Sequence, residues 1–501
     1  MKKVRSILGI ILVLTMMVAF SISAFAIDVE SSTVIVKPAT NGSSYESHNI
    51  LSVNRSDDGA SVSYSVNSQY ERVLRELIPT GDIVDYISGL SGKELQQFAD
   101  RLYQKIKTAG INAEYTATST DGQAVFDGIS PGYTLIGQTA AGENEPFSVV
   151  LLDTAFDRDT IYVTPKTETP SVEKKVLEKS DSIQADGTWQ DAADYDAGDQ
   201  VAFQITGTLP ENLLSYDRYA IKFHDTLSSA FTYNNDATIY AVMGPGADNM
   251  IECTELFTIQ SSGSNLTFGC DNILQHETTM NAKSFLIKYT AKLSMTPVLG
   301  AAGNPNTVYM EYSRNPHGTE NGQTAPDKVT VFSYQVKVDK VNEQQQPLNG
   351  AGFALYKYIA EQSAYKLVGE AKYSGTEFVF QGLDAGQYKL EEVQTPSGYN
   401  SIAPIEFKVE AVYDTKSADP VLTDLVAKKL TGESITGNDQ MFSVDLANGR
   451  LSTKIVNKTG TELPSTGGAG TILLYVLGGG LVVTGGLILL LKKRKKTTKH
   501  R

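Results

Sequence analysis

The sequence predicts a mainly β protein, in which an α+β amino-terminal domain is followed by β-sandwiches in tandem and a targeting helix stands at each end. Three observations carry this. At 501 residues the chain is too long for one hydrophobic core. Between its ends, short stretches of alternating apolar and polar residues recur with Gly, Asn and Pro turns between them, and only one stretch has a convincing helical period. The two ends are apolar runs flanked by basic residues.

The first 26 residues read as a signal peptide. "MKKVRS" supplies a basic start, "ILGIILVLTMMVAF" an apolar core and Ala24-Phe25-Ala26 the small-x-small cleavage pattern, so Ile27 begins the mature chain. Residues 470–491, "GTILLYVLGGGLVVTGGLILLL", carry no charge, and at about 1.5 Å per residue they cover a hydrocarbon core of about 30 Å. The tail "KKRKKTTKHR", 492–501, is a positive block that stays on the cytoplasmic side. Everything between Ile27 and the span lies outside the cell.

Removing the ten basic side chains of the two ends from the net charge of −14 leaves −24 on the exterior region. Such a surface repels nucleic acid, and no nucleic-acid partner is expected. Cys253 and Cys270 are the two cysteines; they form one bridge or remain two buried thiols. The five histidines lack metal-ligand spacing, so no metal and no cofactor are expected.

The first domain, 27–165, opens with the strand "STVIVKP" and holds the helix "SGKELQQFADRLYQKIKTAG". There Ser91 and Glu94 have capping-box spacing, Leu95, Phe98, Leu102 and Ile106 share a face, and Gly110 ends the run. Strands "YTLIGQT" and "FSVVLLD" follow. The Pro-containing "TPKTETPSVEKK" is an extended connection into the second domain, 166–332, with strands "QVAFQITGTL", "YAIKFHDTL", "KSFLIKYTAKL" and "NTVYMEYS". The third, 333–459, runs from "YQVKVDKV" through "GQYKLEEV" to "GRLSTKIVN". Both are expected to be sandwiches. Residues 460–469 link the third domain to the span.

In that linker stands "LPSTG", Leu463-Pro464-Ser465-Thr466-Gly467, ahead of an apolar span and a basic tail. With this signal the chain resembles the backbone subunit of sortase-assembled pili of Gram-positive bacteria along its whole length. The resemblance implies immunoglobulin-like sandwiches of the collagen-adhesin A type (second domain) and B type (third domain). It also implies that a sortase attacks the Thr466 carbonyl with a thiolate, releases Gly467 onward and holds a thioester until an amine resolves it. In "IYVTPKTE" the lysine after the proline looks like the pilin motif, which makes Lys166 the acceptor. The family's usual tyrosine before the proline is Thr164 here, with Tyr162 two residues earlier.

"YKLEEVQTPSGY" looks like the pilin E-box, with Tyr388, Leu390, Pro396, Gly398 and Tyr399 in the pattern positions and Glu392 as its acid. Strand parity puts Tyr388, Leu390 and Glu392 on one face; Val336, Val338 and Lys340 share a face in "QVKVDKV", as do Thr453, Ile455 and Asn457 in "STKIVN". In this family the glutamate catalyses an amide between a strand lysine and an asparagine, which implies a Lys340–Asn457 bond. Burial lowers the lysine pKa and raises that of the glutamate, as the reaction needs. In the second domain the same reading gives Lys174, Asp225 and Asn306; parity prefers Lys174 over Lys175, and Asn306 is taken over Asn304. The first domain has no comparable set.

The resemblance thus implies a structural protein rather than an enzyme. It is a covalent cell-surface pilus subunit, attached to the cell wall, whose chemistry is single-turnover bond formation within itself. Its partners are a sortase, other copies of itself, minor pilins and peptidoglycan. The alternative is a monomeric wall-anchored adhesin that binds a host matrix ligand and shares every feature except the motif at Lys166.

Overall fold

The computed structural model describes residues 31–56, 61–142, 144–155, 159–165, 169–415, 418–431, 442–459 and 477–489. The signal peptide, Lys166, Leu463 to Gly467 and the basic tail lie outside the described residues, as does much of the expected span. Among the described residues no helix is long and apolar enough to cross a membrane.

The amino-terminal unit has two sheets. Strands Val62–Val66, Ser44–Arg55, Gly132–Ala140 and Val149–Asp153 are neighbours in that order, and Ala124–Ile129, Ser32–Val36 and Thr160–Val163 form a second, three-stranded sheet. Helix Gly92–Thr108 buries Phe98, Leu102 and Ile106 against Ile50 and Leu135, while Leu95 is only half-buried. Gly110 turns the chain at φ +66° as the sequence suggests, but Ser91 makes no side-chain capping bond, so the capping box does not form. Two further helices, Ser68–Leu77 and Ile83–Ser88, escaped the periodicity reading because they are short. Each is started by a side-chain cap, Asn67 Oδ1 accepting from Gln69 N and Asp82 Oδ1 from Val84 N and Asp85 N.

The central unit is a sandwich of two seven-stranded sheets. In one, Val172–Glu178, Gln200–Thr208 and Ser284–Leu293 are successive neighbours; in the other, Asp327–Phe332, Asn304–Ser313, Ile221–Leu227 and Asn265–Cys270 are. Alternate residues point inward, and Phe203, Phe223, Phe268, Ile287, Val308 and Met310 fill the space between. Cys253 and Cys270 are both buried and free.

The third unit packs a four-stranded sheet, in the order Glu377–Leu383, Tyr334–Asn342, Arg450–Asn457, Ser443–Asp445, against a five-stranded one. Its first and last long strands, Tyr334–Asn342 and Arg450–Asn457, run parallel side by side, with Lys340 level with Ile455 and Asn342 with Asn457. Mainly β sandwiches after an α+β unit are thus what the alternation predicts.

The central and third units meet through buried ionic and backbone contacts. Lys357 reaches from the third unit to Asp181 at 3.0 Å and Asp196 at 2.6 Å in the central unit, and to Asp384 at 2.8 Å in its own. Asp194 accepts from Ala385 N at 2.9 Å, from Tyr334 OH at 3.1 Å and from Tyr413 OH. Gly300 and Gly449, both at positive φ, touch backbone to backbone with no room for a Cβ at either. Beside them Gly300 N donates to Ser333 O at 3.0 Å and Gln335 N to Gly449 O at 2.8 Å.

Burial opposes the charge on Lys357, yet Asp384 and Asp196 hold its pKa above the ordinary lysine value. Burial and neighbouring carboxylates push Glu178 up to about 8 and Asp199 up to about 6. A carboxyl whose pKa is raised on folding holds protons that the unfolded chain has released, so its stabilisation is present at the acid end and lost as pH rises through the folded value. The melting temperature of the exterior region should therefore fall as pH rises from about 5 to about 7.5. A scanning calorimetry series in which it rises across that interval contradicts this reading of the junction.

Candidate functional site

In the third unit Lys340 and Asn457 project from neighbouring parallel strands into the core, and Glu392 meets them from the facing sheet. Lys340 Nζ donates to Asn457 Oδ1 at 2.7 Å and to Ile455 O at 3.0 Å. Asn457 Nδ2 donates to both oxygens of Glu392, at 2.9 and 3.2 Å, and Lys340 Nζ is 4.0 Å from Glu392 Oε1. The side chains of Lys340 and Glu392 are fully buried.

The turn after Glu392 holds the acid in place. Ile402 N and Thr395 Oγ1 donate to Glu392 Oε2 at 3.2 and 3.4 Å. Tyr399 N closes the turn on Pro396 O, Gly398 supplies a φ of +83°, and Tyr399 bridges to Thr459, which returns the turn to the Asn457 strand. Tyr388 OH donates to Asp384 at the other end of the same strand. Burial pushes the Lys340 amine down to about 8 against the pull of Glu392. Burial raises the pKa of Glu392, with Asn457 and Lys340 acting against it.

The central unit gathers a second set across its two sheets. Lys174 stands opposite Ile205 in one sheet; Asp225 and Asn306 come from adjacent strands of the other, opposite Val308 and Leu227. Lys174 Nζ is 2.9 Å from Asp225 Oδ1 and fully buried. It also lies over the rings of Phe203 and Tyr289, at 5.3 and 5.2 Å from their centroids. Burial lowers the Lys174 pKa, while Asp225 and Asp327 oppose the shift.

Lys175 turns away to Glu173 and Asp191 at 3.0 and 2.6 Å. Asn304 is buried but engaged elsewhere: its Oδ1 accepts from Val298 N, and its Nδ2 donates to Val298 O and Val331 O. The lysine that parity prefers, Lys174, is thus the one gathered in the cluster, and of the two inward asparagines it is Asn306 that joins it. Asn306 lies on Asn304–Ser313, two strands before the last one, Asp327–Phe332, rather than at the end of the unit.

The sequence reading missed Tyr289, whose hydroxyl stands at the centre of this set. It is 3.1 Å from Lys174 Nζ, accepts from Asn306 Nδ2 at 2.7 Å and donates to Asp225 Oδ2. The signal was present in "KSFLIKYTAKL", where Phe285, Ile287, Tyr289 and Ala291 share the buried face and the tyrosine alone carries a polar tip that must find a partner.

Residues 334–420 match the family described as the SpaA prealbumin-like fold domain, and residues 455–497 match the LPXTG cell wall anchor motif. The chain carries a SpaA-type prealbumin-like domain and a cell-wall anchor. It is a surface protein attached to the wall of a Gram-positive cell. The trypsin-resistant surface T6 protein of Streptococcus pyogenes serotype M6 is 26% identical over 260 residues, 47% of this chain and 44% of that protein. The match therefore spans less than half of that relative. The solved T6 backbone pilin of the same organism, described as a modular three-domain structure, aligns with a TM-score of 0.50 at 15% identity over 86% of this chain and 99% of the other. The chain shares its fold. The prealbumin-like domain is the one that holds Lys340 and Glu392, and the anchor match begins at Ile455, in the strand that carries Asn457.

The two asparagines of the strand Asn304–Ser313 separate by experiment. Asn304→Ala leaves Val298 N, Val298 O and the buried Val331 O without a side-chain partner, which should cost about 1–3 kcal/mol in urea unfolding. A midpoint unchanged from the parent would remove Asn304 from this structural role.

Proposed function

We propose that the chain is the backbone subunit of a covalent pilus, joined from Thr466 of one copy to Lys166 of the next by a sortase. Two self-made amides, Lys340–Asn457 and Lys174–Asn306, stiffen it internally. One observation carries the reading: a fully buried lysine amine lies 2.7 Å from the side-chain amide of Asn457, with a buried carboxyl on the amide's other side. An ion pair sealed in a core is a weak source of stability. The same groups are well placed for acyl transfer, which removes both charges.

Neutral Lys340 attacks the Asn457 side-chain carbonyl, whose carbon joins Nζ as ammonia leaves. Glu392, whose pKa burial raises, faces Nδ2 and, once it has taken a proton from the Lys340 ammonium, gives that proton to the leaving nitrogen; it then takes one back from the lysine nitrogen. The acid thus acts at the leaving group rather than at the carbonyl oxygen. The group is consumed after one turnover, which makes the protein a structural subunit and not an enzyme. The shared fold with the T6 backbone pilin and the anchor motif support the polymer, whose ends are Lys166 and Thr466. Minor pilins and peptidoglycan are its proposed further partners, and the last copy in a fibre uses Thr466 to reach the wall.

Each amide releases one ammonia, so the intact mass of the exterior region should fall short of the sequence mass by about 17 Da per bond. An uncorrected mass refutes both bonds. Closing a loop of about 120 residues stabilises by about 4–5 kcal/mol in the chain-entropy picture. Glu392→Ala, which leaves the Lys340–Asn457 loop open, should restore the missing mass of one ammonia and lower the melting temperature of the third unit by roughly 15 °C or more.

Lys166→Ala should abolish the high-molecular-weight ladders that wall extracts give on immunoblots while the monomer remains wall-bound. Ladders that persist remove Lys166 from the joint, and extracts of the parent with no ladder favour the monomeric adhesin.

A further inference from the structure

Asp225 and Glu392 take the same place in their clusters but differ by one methylene. In the third unit both oxygens of Glu392 reach Asn457 Nδ2 directly. In the central unit the Asp225 carboxylate bonds Lys174 Nζ and the Tyr289 hydroxyl, and it is Tyr289 that takes the hydrogen bond from Asn306 Nδ2. Asn306 Oδ1 is buried without a hydrogen-bond partner, so the side-chain amide of Asn306 is held through its nitrogen. The Tyr289 ring is itself fixed, stacked on Phe203 at 5.4 Å and edge-on to Tyr233 at 5.7 Å.

We propose that Tyr289 is a catalytic residue of the Lys174–Asn306 reaction: its hydroxyl completes the reach of the shorter acid and relays a proton from Asp225 to the leaving nitrogen of Asn306. This rests on the reading of both clusters as amide-forming sites. Transfer of one proton from Lys174 to Asp225 along their 2.9 Å contact gives the neutral amine and the acid from which the reaction starts. Nζ bonds to Asn306 Cγ. Asp225 then passes its proton to the Tyr289 oxygen while the hydroxyl proton moves to Nδ2, the Cγ–Nδ2 bond breaks and ammonia departs. The surplus proton on Nζ returns to Asp225. Lysine and asparagine give one amide and one ammonia, and both catalytic groups end as they began. Burial raises the Tyr289 pKa well above the ordinary tyrosine value, with Asp225 adding to the effect. The hydroxyl therefore keeps its proton until the leaving nitrogen takes it.

The test follows both bonds in one chain. Protein made in a cell-free system is quenched in acid at successive times, and each cross-link is counted by peptide mapping and mass spectrometry. Tyr289→Phe keeps the stacked ring and should slow the Lys174–Asn306 bond by about 100-fold or more while the Lys340–Asn457 bond forms at the parent rate. In Tyr289→Phe with Asp225→Glu the longer acid should recover at least part of that rate, a rescue that a purely structural tyrosine does not allow. A Tyr289→Phe chain that closes both bonds at parent rates overturns the proposal, and so does a slowed chain that the glutamate leaves unimproved. If Tyr289→Phe does not fold, 3-fluorotyrosine at position 289 alone, a stronger acid of nearly the same shape, should change the first rate relative to the second; an unchanged ratio overturns the proposal. A parent chain that forms neither bond overturns instead the reading on which this one rests.

Discussion

The constraint on which the two carboxy-terminal units turn is the placing of a lysine amine inside a β-sandwich. An ion taken from water into a protein core costs several kcal/mol, and its partners repay this only with good geometry. Lys174 and Lys340 are both fully covered, each with one acid and one asparagine in contact or within one intervening hydroxyl. The register of whole sheets follows from this need. Shifting the Tyr334–Asn342 strand by one residue would turn Lys340 to solvent and Lys337 into the core. Burial also supplies timing, because the amine's pKa falls only once the sheets have closed over it. In the proposed reaction, folding is the trigger.

Lys357 shows that burial by itself does not make a lysine reactive. It is nearly as well covered, but three carboxylates crowd its amine at 2.6–3.0 Å and keep it an ammonium. Lys340 has one carboxyl at 4.0 Å and an amide oxygen at 2.7 Å. The difference between a clasp and the proposed nucleophile is therefore one of neighbours: excess negative charge holds the proton on Lys357, whereas burial lowers the Lys340 amine and raises the single acid beside it.

Much of this was legible in the sequence because β-structure has a period of two. Alternation alone put Lys340, Glu392 and Asn457 on apolar faces, and all three are buried; it separated Lys174 from Lys175 for the same reason. It did not separate Asn306 from Asn304, which share parity and are both fully buried; hydrogen bonds to Val298 and Val331 distinguish them, and those depend on a loop whose path no local pattern encodes. Tyr289 was missed because a tyrosine on an apolar face reads as core until its hydroxyl's partners are known. The short helices Ser68–Leu77 and Ile83–Ser88 offer too few turns for a period to emerge. The clasp at Lys357 is assembled from four separate segments of two units, so no stretch of sequence announces it.

The parallel pairing of Tyr334–Asn342 with Arg450–Asn457 also decides how a pulling force would travel through the proposed fibre. With both amides closed, a load entering at Lys166 reaches Lys174, crosses to Asn306, continues to Lys340 and leaves through Asn457. The amino-terminal unit hangs beside that line rather than in it, and most of both sandwiches is bypassed. Apart from the short links 167–173 and 458–465 at either end, the length in series without a covalent shortcut is the stretch from Thr307 to Asp339. Fully drawn out, it would reach roughly 110 Å at about 3.4 Å per residue. Its middle is pinned by Ser333 Oγ on Tyr195 O, by Tyr195 N on Phe332 O and by the glycine contact of Gly300 with Gly449. The junction between the two sandwiches would thus be the extensible element of an otherwise inextensible rod.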